Sequence, residues 1–489
     1  MNIDPNSQSV VVPENMFTSA QLSTASHNES YLVAVVQQHS TWNQGDGTSA
    51  GTRYHTDWRH GYFNSVYTNQ AVKTNKILEQ LEESPENINK RSITRILRAY
   101  QFHRLTDLYG DVPYSEAGEA LEQNYSPVFD TQEFIYTDML EELNEAAQAL
   151  SASQPSFGSG DLFYGGDIEQ WRKFAYSLML RLGMRLTEVS PGDAETWVET
   201  AIAGGVILTN EDIPYIMYEN GRAADRNPRA QSIIDSNYGT PQDEFNFLGG
   251  KIAKTFIDHL QDTNDPRLEA LTVVWVEQGD GSYAYDNSPE LQRGMEQTWT
   301  AYPPEFGEYS EPHPETLLRY DSPMFFFTAE ESNLLLAEAA IRGWYTAETA
   351  EEAYNRAVRE GMDRWSLYGD GYSANILTES RVDEYLTENP FLTGGSFEEQ
   401  LDQISTQKWA SLYHTDEYEQ WSNWRRTGYP ELQGVNVPGN HTGGEIPRRM
   451  VVPEDEQRFN RENYEAAVQR QGGPSWNNLL GRVWWDVED

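Results

Sequence analysis

The sequence predicts a mainly α-helical protein in which pairs of helices form the body and a loop-rich part packs on them. Two observations favour this class. Apolar residues recur at helical spacing along most of the chain, and several of these segments carry their own start and stop residues. Between them, residues 205–247 and 272–325 are rich in Gly, Pro, Asn, Asp and Tyr, so they cannot be helical throughout. No interdomain linker is visible, and we expect residues 1–489 to form one domain.

The first part of the helical body is expected over about 58–189, with one pair of helices at 58–109 and another at 131–189. Apolar residues from Ile93 to Leu108 predict a helix that stops at Gly110. The segment before it, roughly 58–81, is predicted to be helical too.

A second helix start in this part is marked by Asp167. Together with Gln170, this residue resembles a capping box, and an apolar stripe at helical spacing follows from Trp171 to Leu186. The pattern predicts a helix that buries one face.

The second part of the body is expected over about 326–426, and its clearest feature is a helical hairpin at 328–364. Thr328 and Glu331 form a T-x-x-E cap, and the first helix ends at Gly343. A second helix is predicted to begin near Thr346 or Thr349, and the short connection makes the two helices antiparallel. This hairpin resembles a tetratricopeptide-like pair. Another helical region is expected near 396–426, and the loop-rich insert spans about 205–325.

Composition limits the function. The chain has 77 acidic and 35 basic residues, a formal charge of −42 that repels polyanions and makes nucleic acid a poor partner. A marine or saline habitat would fit this acidity. There is no cysteine, so disulfides and thiolate sites are excluded. The sequence contains no run of 18 apolar residues, so it predicts no membrane-spanning helix.

The segment from Gly47 to Gly51 matches the G-x-S-x-G pattern of a serine-hydrolase elbow, with Ser49 at its centre. Such an elbow needs an apolar strand before the serine, and here the flanking residues are polar. The order Ser49, His55, Asp57 also differs from the Ser, Asp, His order of that fold. We therefore expect no catalytic serine, and the glycines of this loop let it turn.

Other catalytic and metal patterns are no stronger. Among 77 acidic residues, some pair will reach glycosidase spacing by chance. No H-E-x-x-H and no full calcium loop occur, and the stretch "GDGYSAN" is read as a turn. We expect no catalytic residue, no metal and no cofactor.

Aromatic residues give the more specific indication, since the chain has 14 Trp and 28 Tyr. Trp171, Trp365 and Trp409 lie in predicted helices and are expected in the core. A second set lies in or beside the irregular segments, among polar residues: Trp42, Trp275, Tyr283, Tyr285, Trp299, Tyr302 and Tyr309. A flat ring beside directional polar groups suits an amphipathic ligand such as a sugar. The alternative is that these rings pin the loops to the body.

Three segments carry a family resemblance: "ILRAYQFHRLTDLYGDVPYSEA" (96–117), "FFFTAEESNLLLAEAAIRGW" (325–344) and "STQKWASLYHTDEYEQWSNWRRTGYPEL" (405–432). Together they resemble the SusD/RagB glycan-binding lipoproteins of Bacteroidetes over nearly the whole chain. The resemblance implies a SusD-like fold with four tetratricopeptide-like pairs. It also implies an outward-facing outer-membrane lipoprotein that binds oligosaccharide without cleaving it and caps a SusC-type TonB-dependent transporter. The lipidated cysteine of the family is missing here, and we expect that signal and anchor were trimmed.

The resembling segments are structural, so they do not carry over a binding site. Members of the family build the site from loops, which in this chain correspond to 40–58 and 272–310, where the aromatic residues also lie. Trp42, Trp299 and Tyr283 are the leading predicted platforms. The other predicted ligand-binding residues are Asn43, Asp46, Arg53, Trp275, Tyr285, Arg293 and Tyr302.

The acidic body favours a neutral ligand, and a laminarin-like β-glucan or starch is the predicted glycan. Two other functions stay open at this point. One is an α-helical glycoside hydrolase or lyase that uses acidic residues, and the other is an interaction scaffold without a glycan site.

Overall fold

The computed structural model describes residues 12–26, 31–42, 53–54, 61–119, 123–235, 250–369, 375–473 and 477–488. It is mainly helical, with few strands, as the sequence predicts. Ser49, His55, Asp57 and most of the "GDGYSAN" stretch lie outside the described residues.

The helices of the first part of the chain have these bounds: α1 Pro13–Ala25, α2 Tyr31–Val35, α3 Gly61–Ser65, α4 Ala71–Gln80, α5 Ile88–Tyr109, α6 Gln132–Ala149, α7 Ile168–Arg185 and α8 Pro191–Gly204. A π-helical turn at Val66–Gln70 joins α3 to α4. The pairs predicted at 58–109 and 131–189 are seen as α4 against α5 and α6 against α7. Gly110 ends α5 with a φ of 77°, a conformation that glycine adopts without strain.

The later helices are α9 Pro228–Asp235, α10 Lys254–Asp262, α11 Arg267–Leu271, α12 Ala329–Arg342, α13 Ala350–Asp363, α14 Glu379–Glu388, α15 Phe397–Ser411, α16 Glu417–Thr427, α17 Glu454–Phe459 and α18 Arg461–Arg470. The predicted hairpin is α12 packed on α13, and the region at 396–426 is α15 packed on α16. The strands are β1 His39–Ser40, β2 Tyr215–Met217, β3 Lys251–Ile252, β4 Thr272–Glu277, β5 Tyr283–Asp286, β6 Glu311–Pro312 and β7 Pro323–Phe325.

Local hydrogen bonds explain where the helices start. The Thr328 hydroxyl caps α12, and Thr349 rather than Thr346 starts α13, in a full capping box with Glu352. The Asp167 carboxylate caps α7, but Gln170 does not complete a box, since its amide donates to the carbonyl of Glu211. The caps follow the sequence because they depend on neighbouring residues.

The helices pack around one large apolar core. Trp171, Trp365 and Trp409 are all buried in it, which confirms the prediction for these three. Helices α12 and α13 lie close together because α13 presents small residues to its neighbour. A Cβ added at Gly361 would lie 3.2 Å from Cβ of Glu330 on α12.

Buried charges cross this core between helices. Arg181 of α7 donates to both carboxylate oxygens of Glu331 on α12, at 2.8 and 2.5 Å. Arg426 of α16 does the same to Glu338 of α12, with both distances 2.6 Å. All four side chains are at most 1% exposed.

Glu419 of α16 is the centre of another part of this network. Lys408 and Arg185 contact it at 2.7 and 2.5 Å, and Arg181 lies 3.5 Å away. Burial raises the pKa of a carboxyl group, but these three cations outweigh burial and hold the pKa of Glu419 well below its usual range. The carboxylate is therefore ionised within the core.

In its described part, the insert at 205–325 is less helical than the body, but it contains more regular secondary structure than its composition predicts. Strands β5, β4 and β6 form an antiparallel sheet in that order, with Trp275 of β4 opposite Tyr285 of β5. Of two smaller antiparallel pairs, β1 with β3 ties the insert to the first part of the chain, and β2 with β7 joins the two ends of the insert. The sheet and helices α9 to α11 were not predicted, because short strands in a Gly- and Pro-rich stretch leave a weak pattern.

Candidate functional site

The segment 292–310 forms the base of the candidate site by docking its backbone onto β3. The Met295 amide donates to the carbonyl of Ile252 at 2.8 Å, and the Met295 carbonyl accepts from the amide of Lys254 at 3.0 Å. Gly294 allows this contact, because a Cβ there would lie 2.3 Å from Cα of Lys254.

Side chains attach the same segment to β1. The amide of Gln297 donates to the carbonyls of His39 and Ala34 at 2.8 and 3.0 Å, and the Ser40 hydroxyl donates to the carbonyl of Glu296 at 3.0 Å. These bonds bring the chain just after β1, which holds Trp42, against the 292–310 segment. Two distant predicted site segments are thereby adjacent.

A cluster of apolar residues results, which we call the Trp42 cluster: Trp42, Met295, Trp299, Tyr302, Phe306 and Tyr309. Met295, Phe306 and Tyr309 form its buried floor. Trp42 and Trp299 are half-buried on this floor, and Tyr302 is 44% exposed. The ring of Tyr302 stands edge-on to Trp42, with centroids 5.5 Å apart, and lies 5.1 Å from Phe306. Aromatic rings held in this way offer apolar area to a ligand in a fixed orientation.

A second group of rings lies on the β4–β5 hairpin, and we call it the hairpin aromatics: Trp275, Tyr283 and Tyr285. The three alternate with their neighbours, so they share one face of the sheet. Trp275 and Tyr285 are cross-strand partners, with ring centroids 6.0 Å apart, and Tyr285 is 38% exposed. Behind them lies buried His313, 5.1 Å from Tyr285. Burial lowers the pKa of His313 to about 3, so this imidazole is neutral.

Arg293 is the predicted polar residue that lies beside the Trp42 cluster. Its guanidinium stands 4.6 Å over the ring of Tyr309 and pairs with Glu305 and Glu308 at 3.0 and 3.1 Å. The carboxylate of Glu305 raises the pKa of Arg293. Two carboxylates thus compensate one exposed cation.

The other predicted polar residues are placed differently. Arg53 lies against the loop at Gly439, where a Cβ would meet its guanidinium at 2.3 Å. Asn43 and Asp46 lie outside the described residues. Of the three leading platforms, Trp42 and Trp299 share a cluster, whereas Tyr283 lies on the hairpin opposite Glu277.

Some residues of the site carried no sequence signal. Phe306 and Met295 form the floor of the Trp42 cluster, and Tyr309, which was grouped with possible ligand rings, is buried there at 5% exposure. Tyr309 therefore packs within its own segment, on Met295 and Phe306. A useful signal would have been the spacing of Phe306 and Tyr309 around Gly307, which marks a turn.

Within the described ranges, no group of three or more His, Asp or Glu side chains is arranged to hold a metal ion. No helix in the described part of the chain has the length and apolarity needed to cross a bilayer.

A helical body that carries half-exposed rings on connecting segments is typical of a binding protein. Residues 5–453 match the SusD-like family model described as "Starch-binding associating with outer membrane". The chain belongs to this SusD-like family.

Solved structures agree with the family. The chain is similar to a chitin-binding protein at 30% identity and a TM-score of 0.80, with 98% of this chain and 100% of that chain covered. It is similar to a Bacteroidetes AC2a SusD-like protein at 26% identity and a TM-score of 0.83, with the same coverage. A chitin-binding SusD homologue from Flavobacterium johnsoniae matches at 25% identity and a TM-score of 0.77, with 97% of this chain and 98% of that chain covered. A search of curated proteins finds no match.

Proposed function

We propose that this protein captures a neutral polysaccharide on the Trp42 cluster without cleaving it. The single observation that carries the proposal is the half-exposed set of Trp42, Trp299 and Tyr302 on a buried apolar floor. Stacking on such rings supplies affinity, while neighbouring polar groups orient the ligand. The family description and two chitin-binding relatives support a glycan as that ligand.

Charge supports a neutral glycan. The chain carries −42, and Arg293, an exposed cation beside the cluster, is already paired with Glu305 and Glu308. An anionic polymer would therefore meet net repulsion. The predicted laminarin-like β-glucan or starch stays a candidate, and the chitin-binding relatives add neutral polymers of N-acetylglucosamine.

The use of acidic residues supports binding over catalysis. Glu331, Glu338 and Glu419 are buried in ion pairs between helices, and Glu305 and Glu308 pair with Arg293. A glycosidase needs one carboxyl group as acid and another as base or nucleophile across the scissile bond. These five carboxylates are occupied by cations instead.

The proposal also states where in the cell the protein acts. Family membership supports association with the outer membrane. The resemblance adds a lipid anchor and a SusC-type TonB-dependent transporter that receives the glycan. Co-purification of the anchored protein with such a transporter, from cells that express both, is the measurement for this part.

The test of binding is a calorimetric screen against chitin, laminarin and starch oligosaccharides, with alginate and carrageenan as anionic comparators. We expect a neutral oligosaccharide to bind. Trp42→Ala and Trp299→Ala should each weaken that binding tenfold or more, the range of a central aromatic contact, with little change in Tm. Trp197→Ala is the matched control, because Trp197 is half-buried on α8 in the body.

Four outcomes would contradict the proposal. Unchanged affinity in both site variants would show that the Trp42 cluster is not the binding site. Binding to the anionic polymers alone would show that the ligand is not neutral. Release of new reducing ends from a bound oligosaccharide would favour the hydrolase or lyase instead. Silence toward all glycans, together with capture of a protein partner, would favour the interaction scaffold.

A further inference from the structure

One buried ion pair contacts both groups of aromatic rings. Lys251 of β3 pairs with Glu311 of β6, and their side chains are only 3% and 4% exposed. The ammonium of Lys251 lies 4.4 Å from the centre of the Phe306 ring, in the floor of the Trp42 cluster. The second carboxylate oxygen of Glu311 accepts from the indole nitrogen of Trp275 at 3.1 Å.

The sheet register explains why Glu311 reaches Trp275. Glu311 is the cross-strand partner of Val273 on β4, and Trp275 lies two residues further on the same face. The carboxylate and the indole are therefore diagonal neighbours. The bond fixes the indole plane of Trp275, and Trp275 in turn packs against Tyr285.

On the other side, the contacts of Lys251 continue to the exposed rings of the Trp42 cluster. A cation over an aromatic face is attracted to it, most strongly when both are removed from water. Phe306 contacts Tyr302 at 5.1 Å, and Tyr302 stands against Trp42 at 5.5 Å. A single pair thus sets the ring orientation on both sides.

Stability does not require an ion pair in this position. Well-packed apolar residues of similar volume are often as stable as a buried ion pair, whereas removal of one partner alone is costly. What an apolar pair lacks is direction: it has no acceptor for the indole of Trp275 and no charge over Phe306. Orientation of the rings is therefore what the charged pair adds.

We propose that Lys251 and Glu311 are positioning residues that join the Trp42 cluster and the hairpin aromatics into one extended binding face. The ligand is then a neutral polysaccharide segment long enough to contact both groups at once, and this inference rests on the proposed function. Two contacts on one chain bind more tightly than either contact alone, because the second contact forms within the complex. The gain in affinity with the length of the glycan therefore depends on the pair of Lys251 and Glu311.

The test compares a disaccharide with a hexasaccharide, in a chitin series and a laminarin series, by calorimetry. The wild type should bind the hexasaccharide at least tenfold more tightly than the disaccharide. The Lys251→Met/Glu311→Leu double variant removes both charges and leaves no unpaired one, so it is expected to fold. In this variant the affinity for the hexasaccharide should fall to within about twofold of the affinity for the disaccharide. The affinity for the disaccharide should stay within twofold of the wild-type value.

The matched control is Arg426→Met/Glu338→Leu, which removes a buried pair in the helical body. This variant should change Tm but keep the full gain in affinity from the disaccharide to the hexasaccharide. In the Lys251→Met background, where no buried cation is left unpaired, Glu311→Gln keeps an acceptor oxygen for Trp275 and should retain more of the gain in affinity than Glu311→Ala.

Two results would overturn the inference: a double variant at Lys251 and Glu311 that keeps the hexasaccharide gain, or a wild type that binds both lengths equally. Failure of the wild type to bind any glycan would instead overturn the proposed function.

Discussion

In the helical body a network of charged side chains is buried and paired, whereas in the segment 292–310 the paired charges are exposed and the aromatic rings Trp42 and Trp299 beside them are half-buried. Arg181 and Glu331 are 1% and 0% exposed between α7 and α12. Arg293 and Glu305, in contrast, are 46% and 58% exposed beside the Trp42 cluster. The same type of pair is thus used in two environments.

The difference shows what each region depends on. A buried charge without its partner costs several kcal/mol, so the body depends on every pair being complete. An exposed pair contributes about 0–1 kcal/mol, so the site depends on its rings and on the backbone contacts beneath them. Stability and binding can therefore be altered separately.

The largest effect is expected for Arg181→Met. This change removes a cation that contacts Glu331, Asp416 and Glu419, and it leaves each of these buried carboxylates with one cation fewer. We expect a loss of about 3–5 kcal/mol in the free energy of unfolding. Urea unfolding at pH 7.5 measures it, and a loss below about 1 kcal/mol would show that the network is not needed.

Gly294→Ala should disturb the site through its base. The new methyl group would meet Cα of Lys254, so the segment that carries Arg293 and Met295 has to shift. We expect a loss of up to about 3 kcal/mol in stability and weaker binding of the glycan. Gly307→Ala is the matched control in the same segment, since nothing lies within 4 Å of its Cβ position. Equal affinity in both variants would disprove the role of the Gly294 contact.

A pH change should lower the stability of the fold without changing the charge of the rings. Burial lowers the pKa of His39 to about 3, while an unfolded histidine titrates near 6.5. The stability from neutral His39 is therefore present above pH 6.5 and is lost as the pH falls toward 3. Between pH 6.5 and 5 this loss is about 2 kcal/mol.

The variant His39→Asn isolates this contribution. Between pH 7.5 and 5.0, the unfolding free energy of the variant should fall by about 2 kcal/mol less than that of the wild type. Parallel pH curves for the two proteins would contradict the assignment. Trp and Tyr rings do not change charge in this range, so glycan affinity of the folded protein should stay constant.

The smallest effect is expected for Arg293→Met. Its two ion pairs are exposed to solvent, so the free energy of unfolding should change by less than about 1 kcal/mol. The same urea titration used for Arg181→Met gives the comparison. A loss as large as that of the buried arginine would mean that exposure does not separate the two regions.

The segments that resemble the family turn out to supply the buried network. Arg104 lies in 96–117, and it pairs with Asp416 of 405–432 at 2.9 Å. Glu331 and Glu338 lie in 325–344. Because these segments form the core, they identify the fold but contain none of the aromatic residues of the candidate site.

Prediction of the candidate site reached its segments and its residue types but not the contacts between its rings. The loop aromatics were found from composition, yet their grouping was not, because Trp42 and Tyr302 meet only after 292–310 docks on β3. Lys251 and Glu311 gave no signal at all. A lysine and a glutamate are most often exposed, and only the packing of β3 beside β6, where the Ile252 amide donates to the carbonyl of Ser310, makes them a buried pair.

The sequence by itself determined the helix pairs of the body, the caps at Thr328 and Thr349, the acidic charge and the family, because helix starts and stops depend on residues within one turn of each other. The tertiary structure decided which rings share a surface and which charges are buried. Those contacts join residues far apart in the chain, and they depend on strand register and on how a loop packs, which local patterns do not encode.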